Sequence, residues 1–382
     1  MYAPLRKSSP AAKMVDSLLI DLPAPTNLST WWNMGSMLGV CLVAQIVTGL
    51  FLMMHYNSDI SGAYESIVHI TDNVGGGWWM RSIHANGASV FFMLIYAHMA
   101  RAMYYGLYTA WKVWLSGLLL YWLAMITAFV GYILPWGQMS YWAATVITSL
   151  LTNIPYLGTD IAQWVWGGYA VGGATLSRFS VLHYIFPLIL IPIIAFHIGY
   201  LHVKGSGNPL GVSSVSDKIT FHPYYSAKDL VGFIAMFVLI SFISMYLPTF
   251  LLDVENSIRA NEVVTPTHIQ PEWYFSYVYT ILRSFPTTVS GILMMVASLL
   301  ILCFVPLFHA SKMQSTSHYP LGQILFWVFI ANILVMTWAA GYPVETPYSQ
   351  MGLLTTLLYF SYFVLSSAGA PSWDTLILPQ SS

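Results

Sequence analysis

The chain has 382 residues, of which 57% are hydrophobic, 16% aromatic and only 7% charged, with a mean hydropathy of +0.67. A soluble domain carries about 25% charged residues, so the composition describes an integral membrane protein and excludes an ordinary soluble enzyme. A formal net charge of -1 gives no basic surface for nucleic acid, and two cysteines, Cys41 and Cys303, in separate apolar runs provide neither a metal spacing nor a disulfide framework.

The opening stretch, MYAPLRKSSPAAKMVDSLLIDLPAPTNLST, has too short an apolar core for a signal peptide and no Arg-rich presequence, so no cleavage is expected. Apolar runs of about twenty residues, the length a bilayer needs, then fall at 32–54, 78–104, 113–134, 173–203, 228–248, 288–308, 321–340 and 348–366. Continuous runs of that length are helices rather than barrel strands. The expected fold is therefore an all-α integral membrane protein with eight transmembrane helices. Two connections are too long to be plain linkers: 135–172, which reads as two short surface helices, and 249–287. The polar stretch GSGNPLGVSSVSDKITFHPYYS marks the clearest division, giving regions 1–210 and 211–382.

Eight spans place both termini and the loops near 105–112, 204–227 and 309–320 on one side, which then holds nine of the thirteen basic residues. That face is the inner one by the positive-inside rule, and the two long connections lie on the outer, acid-rich face.

The second span carries His84 and His98, and the fourth carries His183 and His197. An interval of fourteen residues is about four helical turns, so each pair lies on one helix face about 21 Å apart. The two spans run in the same direction. His84 then faces His183 towards the outer side and His98 faces His197 towards the inner side, which makes two six-coordinate haem sites within the bundle of the first four helices. Gly35 and Gly49 in the first span, and Gly117 and Gly131 in the third, repeat the interval; residues without a Cβ would let a flat macrocycle approach. Arg81 and Arg178 on the outer side and Arg101 on the inner side suit anionic propionates. No C-x-x-C-H occurs, so the haems are expected to be non-covalent and b-type.

With GYILPWGQMSYW, GSGNPLG, FHPYYSAKDL and PEWYFSYVYTILRS in order along the chain, the sequence resembles the cytochrome b family of ubiquinol:cytochrome c oxidoreductases, respiratory complex III. The likeness covers nearly the whole chain. Photosynthetic counterparts are split in two near 205–225 and usually have one more residue in the second histidine interval, so the fused, compact chain is more similar to mitochondrial members.

The resemblance implies that ubiquinol is oxidised near the outer face, that electrons cross two b haems and that ubiquinone is reduced near the inner face, coupled to proton translocation. It implies an outer site with Glu272 as proton acceptor, Tyr132, Tyr279 and the surface helix around Ala143, where the family commonly has glycine and the extra methyl would project into the pocket. It implies an inner site with His202 and Asp229, and with Ser206, Lys228, Asn33 and Ser36 around them. Expected partners are a Rieske-type iron-sulfur protein, cytochrome c1, other complex III subunits and membrane lipids, in a homodimeric complex. The expected location is the mitochondrial inner membrane with both termini on the matrix side, the alternative being a bacterial plasma membrane. A membrane transporter without haem is the rival reading, but it would show paired broken helices and an internal repeat. A haem-copper oxidase subunit would need further clustered histidines, whereas His55, His69, His222, His268, His309 and His318 lie mostly in loops or at span ends.

Overall fold

The computed structural model describes residues 4–377. The chain opens with α1 (Pro10–Leu19), whose first turn is capped by the Ser9 hydroxyl accepting from the Ala12 amide at 3.2 Å. There follow α2 (Met34–Met53), α3 (Ala63–Asp72), α4 (Gly77–Tyr104) and α5 (Trp111–Ile133). Two short helices, α6 (Gln138–Ser149) and α7 (Gly158–Trp166), occupy the stretch where the sequence predicts a pair of surface helices. The order is completed by α8 (Gly173–Lys204), α9 (Tyr224–Tyr246), α10 (Trp273–Arg283), α11 (Thr288–Phe304), α12 (Pro320–Ala339) and α13 (Tyr348–Ile377).

Seven of these helices are long and apolar enough to cross a membrane: those that contain α2, α5, α8, α9, α11, α12 and α13. The remaining predicted span, α4, is a continuous helix of 28 residues, which is about 42 Å of helix. Its hydropathy is diluted by Arg81, His84, Asn86, His98 and Arg101. α13 also runs past its predicted end at 366. The buried Asp374 explains the extension, because its carboxylate accepts from the Lys312 amide at 2.8 Å and from the Tyr319 hydroxyl at 2.9 Å.

The helices pack as α2 on α4 and α5 on α8, with α9 against α4 and α2. α12 lies on α13, and α10 lies against α11, α12 and α13. One apolar core holds the two halves together through Phe92 on α4, Tyr121 on α5, Ile281 on α10 and Phe329 on α12. Val181, Leu188, Ile191 and Phe196 on α8 are exposed, as expected of a helix that is apolar all round and faces lipid.

Two tertiary ties shape the loops. A short antiparallel pair joins β1 (Pro23–Pro25) to β2 (Lys218–Thr220), and Thr26 donates to the Asp217 carboxylate at 2.7 Å. The polar 205–225 loop is thus stitched to the N-terminal segment. On the other side, the Gln138 amide donates to the Ile258 carbonyl at 2.9 Å and the Ala260 amide to the Trp136 carbonyl at 3.0 Å. Arg259 bridges to Glu65 on α3 at 2.6 Å. These bonds fold the long 249–287 connection over the ends of α5 and α6.

Candidate functional site

The four histidines stand as two facing pairs. His84 and His183 have ring centroids 6.1 Å apart with planes at 83°, and His98 and His197 are 6.4 Å apart at 58°. Matched fourteen-residue intervals on two helices running in the same direction bring this about. Two imidazoles holding one first-row metal ion from opposite sides, through bonds of about 2 Å with each centroid about 1 Å behind its nitrogen, stand about 6 Å apart. Both pairs meet that spacing. Among the described residues no three His, Cys, Asp or Glu side chains gather as a metal site; each pair would supply two nitrogen ligands to a metal-bearing group held between its helices.

Hydrogen bonds on the far nitrogens set the tautomer. The Thr127 carbonyl lies 2.9 Å from His183 Nδ1 and can only accept, so Nδ1 carries the proton and Nε2 keeps its lone pair. Thr48 lies 2.9 Å from His84 Nδ1 and spends its own proton on the Ala44 carbonyl at 2.7 Å. Ser116 lies 2.9 Å from His197 Nδ1 and donates to Val113 at 3.0 Å. All three arrangements leave Nε2 free to ligate. His98 differs, because Arg101 donates to its Nδ1 at 3.0 Å. Ligation through Nε2 needs the opposite tautomer, so Arg101 must release the ring. Its Nε is buried without a hydrogen-bond partner among the described residues, and its guanidinium sits 5.1 Å from the Trp32 ring. A buried arginine with spare donors fits an anionic group such as a propionate.

The four spaced glycines serve the histidines directly. A Cβ built on Gly49 would lie 2.9 Å from His84 Cε1, one on Gly35 3.3 Å from His98 Cε1, and one on Gly117 3.1 Å from His197 Cε1. A Cβ on Gly131 would overlap the His183 ring. Each glycine therefore gives room to one imidazole of its packing partner. The sequence reading did not single out Thr48, Ser116 or Thr127, although a signal was present: Thr48 and Ser116 immediately precede Gly49 and Gly117, and Thr127 lies one turn before Gly131.

A cavity of about 650 Å³ separates the α2–α4 pair from the α5–α8 pair, within the range of about 300–1,000 Å³ usual for ligand sites. His84, His183, Arg81, Tyr132, Glu272 and Tyr274 line it. Glu272 stands at the N-cap position of α10 without a side-chain cap bond and is 8% exposed, with Oε1 lacking a hydrogen-bond partner among the described residues. Burial pushes its carboxyl up to about 7, with Tyr132 pulling the other way and Asp253 adding to the rise. A carboxyl that lines an apolar cavity with one oxygen unpartnered can take up or release a proton near neutral pH.

Other expected residues stand elsewhere. Tyr279 donates to the Ile269 carbonyl at 3.1 Å, under the Arg283 guanidinium, and does not line the cavity. Ala143 is buried on α6 but also outside the lining, so its methyl packs within the protein rather than projecting into the space. Arg178 is exposed and donates to the Trp164 carbonyl at the end of α7. Arg81 reaches Thr71 at 3.4 Å while lining the cavity.

Towards the other end of the bundle, Asn33 donates to the Lys228 carbonyl at 2.8 Å, Ser36 to the Asn33 carbonyl at 2.9 Å, and the Lys228 ammonium to the Leu28 carbonyl at 2.6 Å. Asp229 follows Lys228 and interacts with Ser36. These four are brought together. Ser206 instead donates to the Gly207 carbonyl at 3.0 Å, and His202 is half-buried on the last turn of α8.

Two family models match the chain, Cytochrome b/b6/petB over residues 19–205 and Cytochrome b(C-terminal)/b6/petD over residues 259–360. Among solved structures the chain is similar to one from a "Hyperthermophilic respiratory Complex III", with 28% identity, a TM-score of 0.88, and coverage of 96% of this chain and 98% of that one. The first family model takes in both histidine pairs and the second takes in Glu272, so the match spans both sides of the cavity. The chain belongs to the cytochrome b/b6 family.

Proposed function

We propose that the chain is the electron-transfer subunit of a ubiquinol:cytochrome c oxidoreductase, with two non-covalent b haems and two quinone sites. The observation that carries this reading is that the His84–His183 pair and the Glu272 carboxyl open onto one apolar cavity. An electron acceptor and a proton acceptor on the same space are what quinol oxidation requires. His84 with His183, and His98 with His197, would each hold a haem, which when bound would supply one-electron redox chemistry. The likeness to a respiratory complex III chain supports a subunit role, with a Rieske-type iron-sulfur protein and cytochrome c1 as partners in a homodimeric assembly.

In this reading the protein's own groups do the following. Tyr132 and Tyr274 wall the outer site, where Glu272 takes a proton from quinol at its carboxylate. Arg81 and Arg101 hold propionates. Asp229 and His202 deliver protons at the inner site, with Asn33, Ser36, Lys228 and Ser206 around them. α4 is the eighth span, because its polar residues face the bundle. Residues 1–210 form the haem-binding region and 211–382 complete the outer site. Both termini then lie on the matrix side of a mitochondrial inner membrane, following the distribution of basic residues.

Because the Glu272 carboxyl is raised to about 7, it is neutral below that pH and accepts a proton only above it. Quinol oxidation should therefore rise with pH through about 7. Glu272→Gln is expected to lower the rate about a hundredfold or more and to flatten this limb, the lower end of what a positioned general base contributes. Asp229→Asn is expected instead to slow electron exit from the inner side, and both variants should keep full haem content. Stopped-flow reduction and reoxidation of the b haems between about pH 5 and 9 separates the two effects; an unchanged profile in Glu272→Gln would reject its role.

A further inference from the structure

A line of buried and half-buried tyrosines outside the cavity ends on the cavity's wall. Tyr96 on α4 donates its hydroxyl proton to the Tyr274 carbonyl in the first turn of α10. Tyr121 on α5 lies 3.4 Å from the Tyr96 hydroxyl and 2.9 Å from the hydroxyl of Tyr277 on α10. Tyr121 is 2% exposed and Tyr277 6% exposed, among apolar neighbours such as Phe92, Leu118 and Ile281. Phenol hydroxyls in such surroundings are costly unless hydrogen-bonded, so their direction can be worked out.

A carbonyl only accepts. Tyr96 therefore spends its single proton on Tyr274 and is left as an acceptor for Tyr121. Tyr277 then donates to Tyr121, and all three protons are used. The reverse order gives the Tyr277 proton no acceptor among the described residues. The line Tyr277, Tyr121, Tyr96 thus runs in one direction onto the backbone of Tyr274, and each bond polarises the next. Two further contacts from α4 grip the same turn: the Trp273 indole donates to Ser89 at 3.1 Å, and Phe92 stacks on Tyr274 with centroids 4.3 Å apart and planes at 3°. Neither Tyr96 nor Tyr121 lines the cavity, whereas Glu272 and Tyr274 do.

We propose that Tyr96 and Tyr121 are positioning residues for quinol oxidation: acting through the Tyr274 carbonyl, they hold the Glu272–Tyr274 segment against the cavity. This inference rests on the outer-site reading given above. It gives a polar purpose to residues that would otherwise serve the core equally well as phenylalanine.

The test uses the complete haem-loaded protein and the variants Tyr96→Phe, Tyr121→Phe and the double substitution, which keep every ring and remove only hydroxyls. Hydrogen–deuterium exchange is read on the peptide covering 271–279, with α8 peptides as the control. Each single variant is expected to speed exchange in that peptide about three- to tenfold and to raise the KM for quinol by a similar factor, with kcat and haem content little changed. Because both act through one bond, the double variant should be no worse than the worse single. Unchanged exchange in both singles, or effects that multiply in the double, would overturn the proposal. The exchange data decide this even if the native chain proves to oxidise no quinol, an outcome that would instead sink the functional reading.

Discussion

His183→Ala is expected to remove one of two b-type haems and to abolish quinol:cytochrome c reductase turnover. His183 supplies one of the two imidazoles at 6.1 Å centroid separation, and its Nδ1 proton is held by the Thr127 carbonyl. Alanine would leave His84 as the one imidazole able to hold a haem there. It also removes the His183 bond from the Thr127 carbonyl, which stays within α5, a small loss beside that of the imidazole. The His98–His197 pair lies about four turns away and shares no hydrogen bond with His183, so its haem should remain. The reduced-minus-oxidised difference spectrum should keep about half its b-band amplitude per chain. Full amplitude in the variant would show that His183 is not a ligand.

A graded series should follow from adding a single methyl at the spaced glycines. Gly131→Ala drives a Cβ into steric overlap with the His183 ring, and that ring cannot rotate away without breaking its bond to Thr127 on the same helix as the new methyl. Gly49→Ala comes to 2.9 Å from His84 Cε1, where something must shift, and Gly35→Ala comes to 3.3 Å from His98 Cε1, where a few tenths of an ångström suffice. Overpacking by one carbon costs about 1–3 kcal/mol, and about 1.4 kcal/mol is tenfold in affinity. Haem retention should therefore fall about ten- to a hundredfold in Gly131→Ala, less in Gly49→Ala, and hardly at all in Gly35→Ala. Haem content after graded detergent washing measures it; equal retention across the series would mean that the glycines only pack helices.

The spans and histidine pairs were legible because they depend on local periodicity. Bilayer length sets the size of an apolar run, and a fourteen-residue interval returns a side chain to nearly the same helix face whatever the neighbours do. The same logic ended where side chains meet across helices. Arg178 falls at the right turn for an outer propionate, yet its guanidinium is drawn to the Trp164 carbonyl at the C-terminus of α7, an end that carries partial negative charge. Ala143 lies in a stretch that the resemblance assigns to an outer site, but on α6 it stands outside the cavity lining. The hydroxyls that orient the histidines act from neighbouring helices, and a serine or threonine in an apolar run looks the same whether it caps its own backbone or turns an imidazole.

Longer-range pinning was hidden for a related reason. The 249–287 connection reads as polar and functional, but its path over α6 depends on Asn256 accepting from the Ser140 amide at 2.8 Å and on Arg259 reaching Glu65. Neither pairing has a spacing that a single chain can reveal. Arg101 differs: its contact with His98 follows the one-turn proximity of the two residues, and the structure adds to the sequence reading a buried, unpaired Nε.

The most direct measurement is the haem content of the purified native protein, taken from its reduced-minus-oxidised spectrum and from acid extraction of the haem. Two imidazole pairs at ligand spacing and no covalent attachment motif predict two extractable b-type haems per chain. One haem, none, or haem that resists extraction would contradict the account.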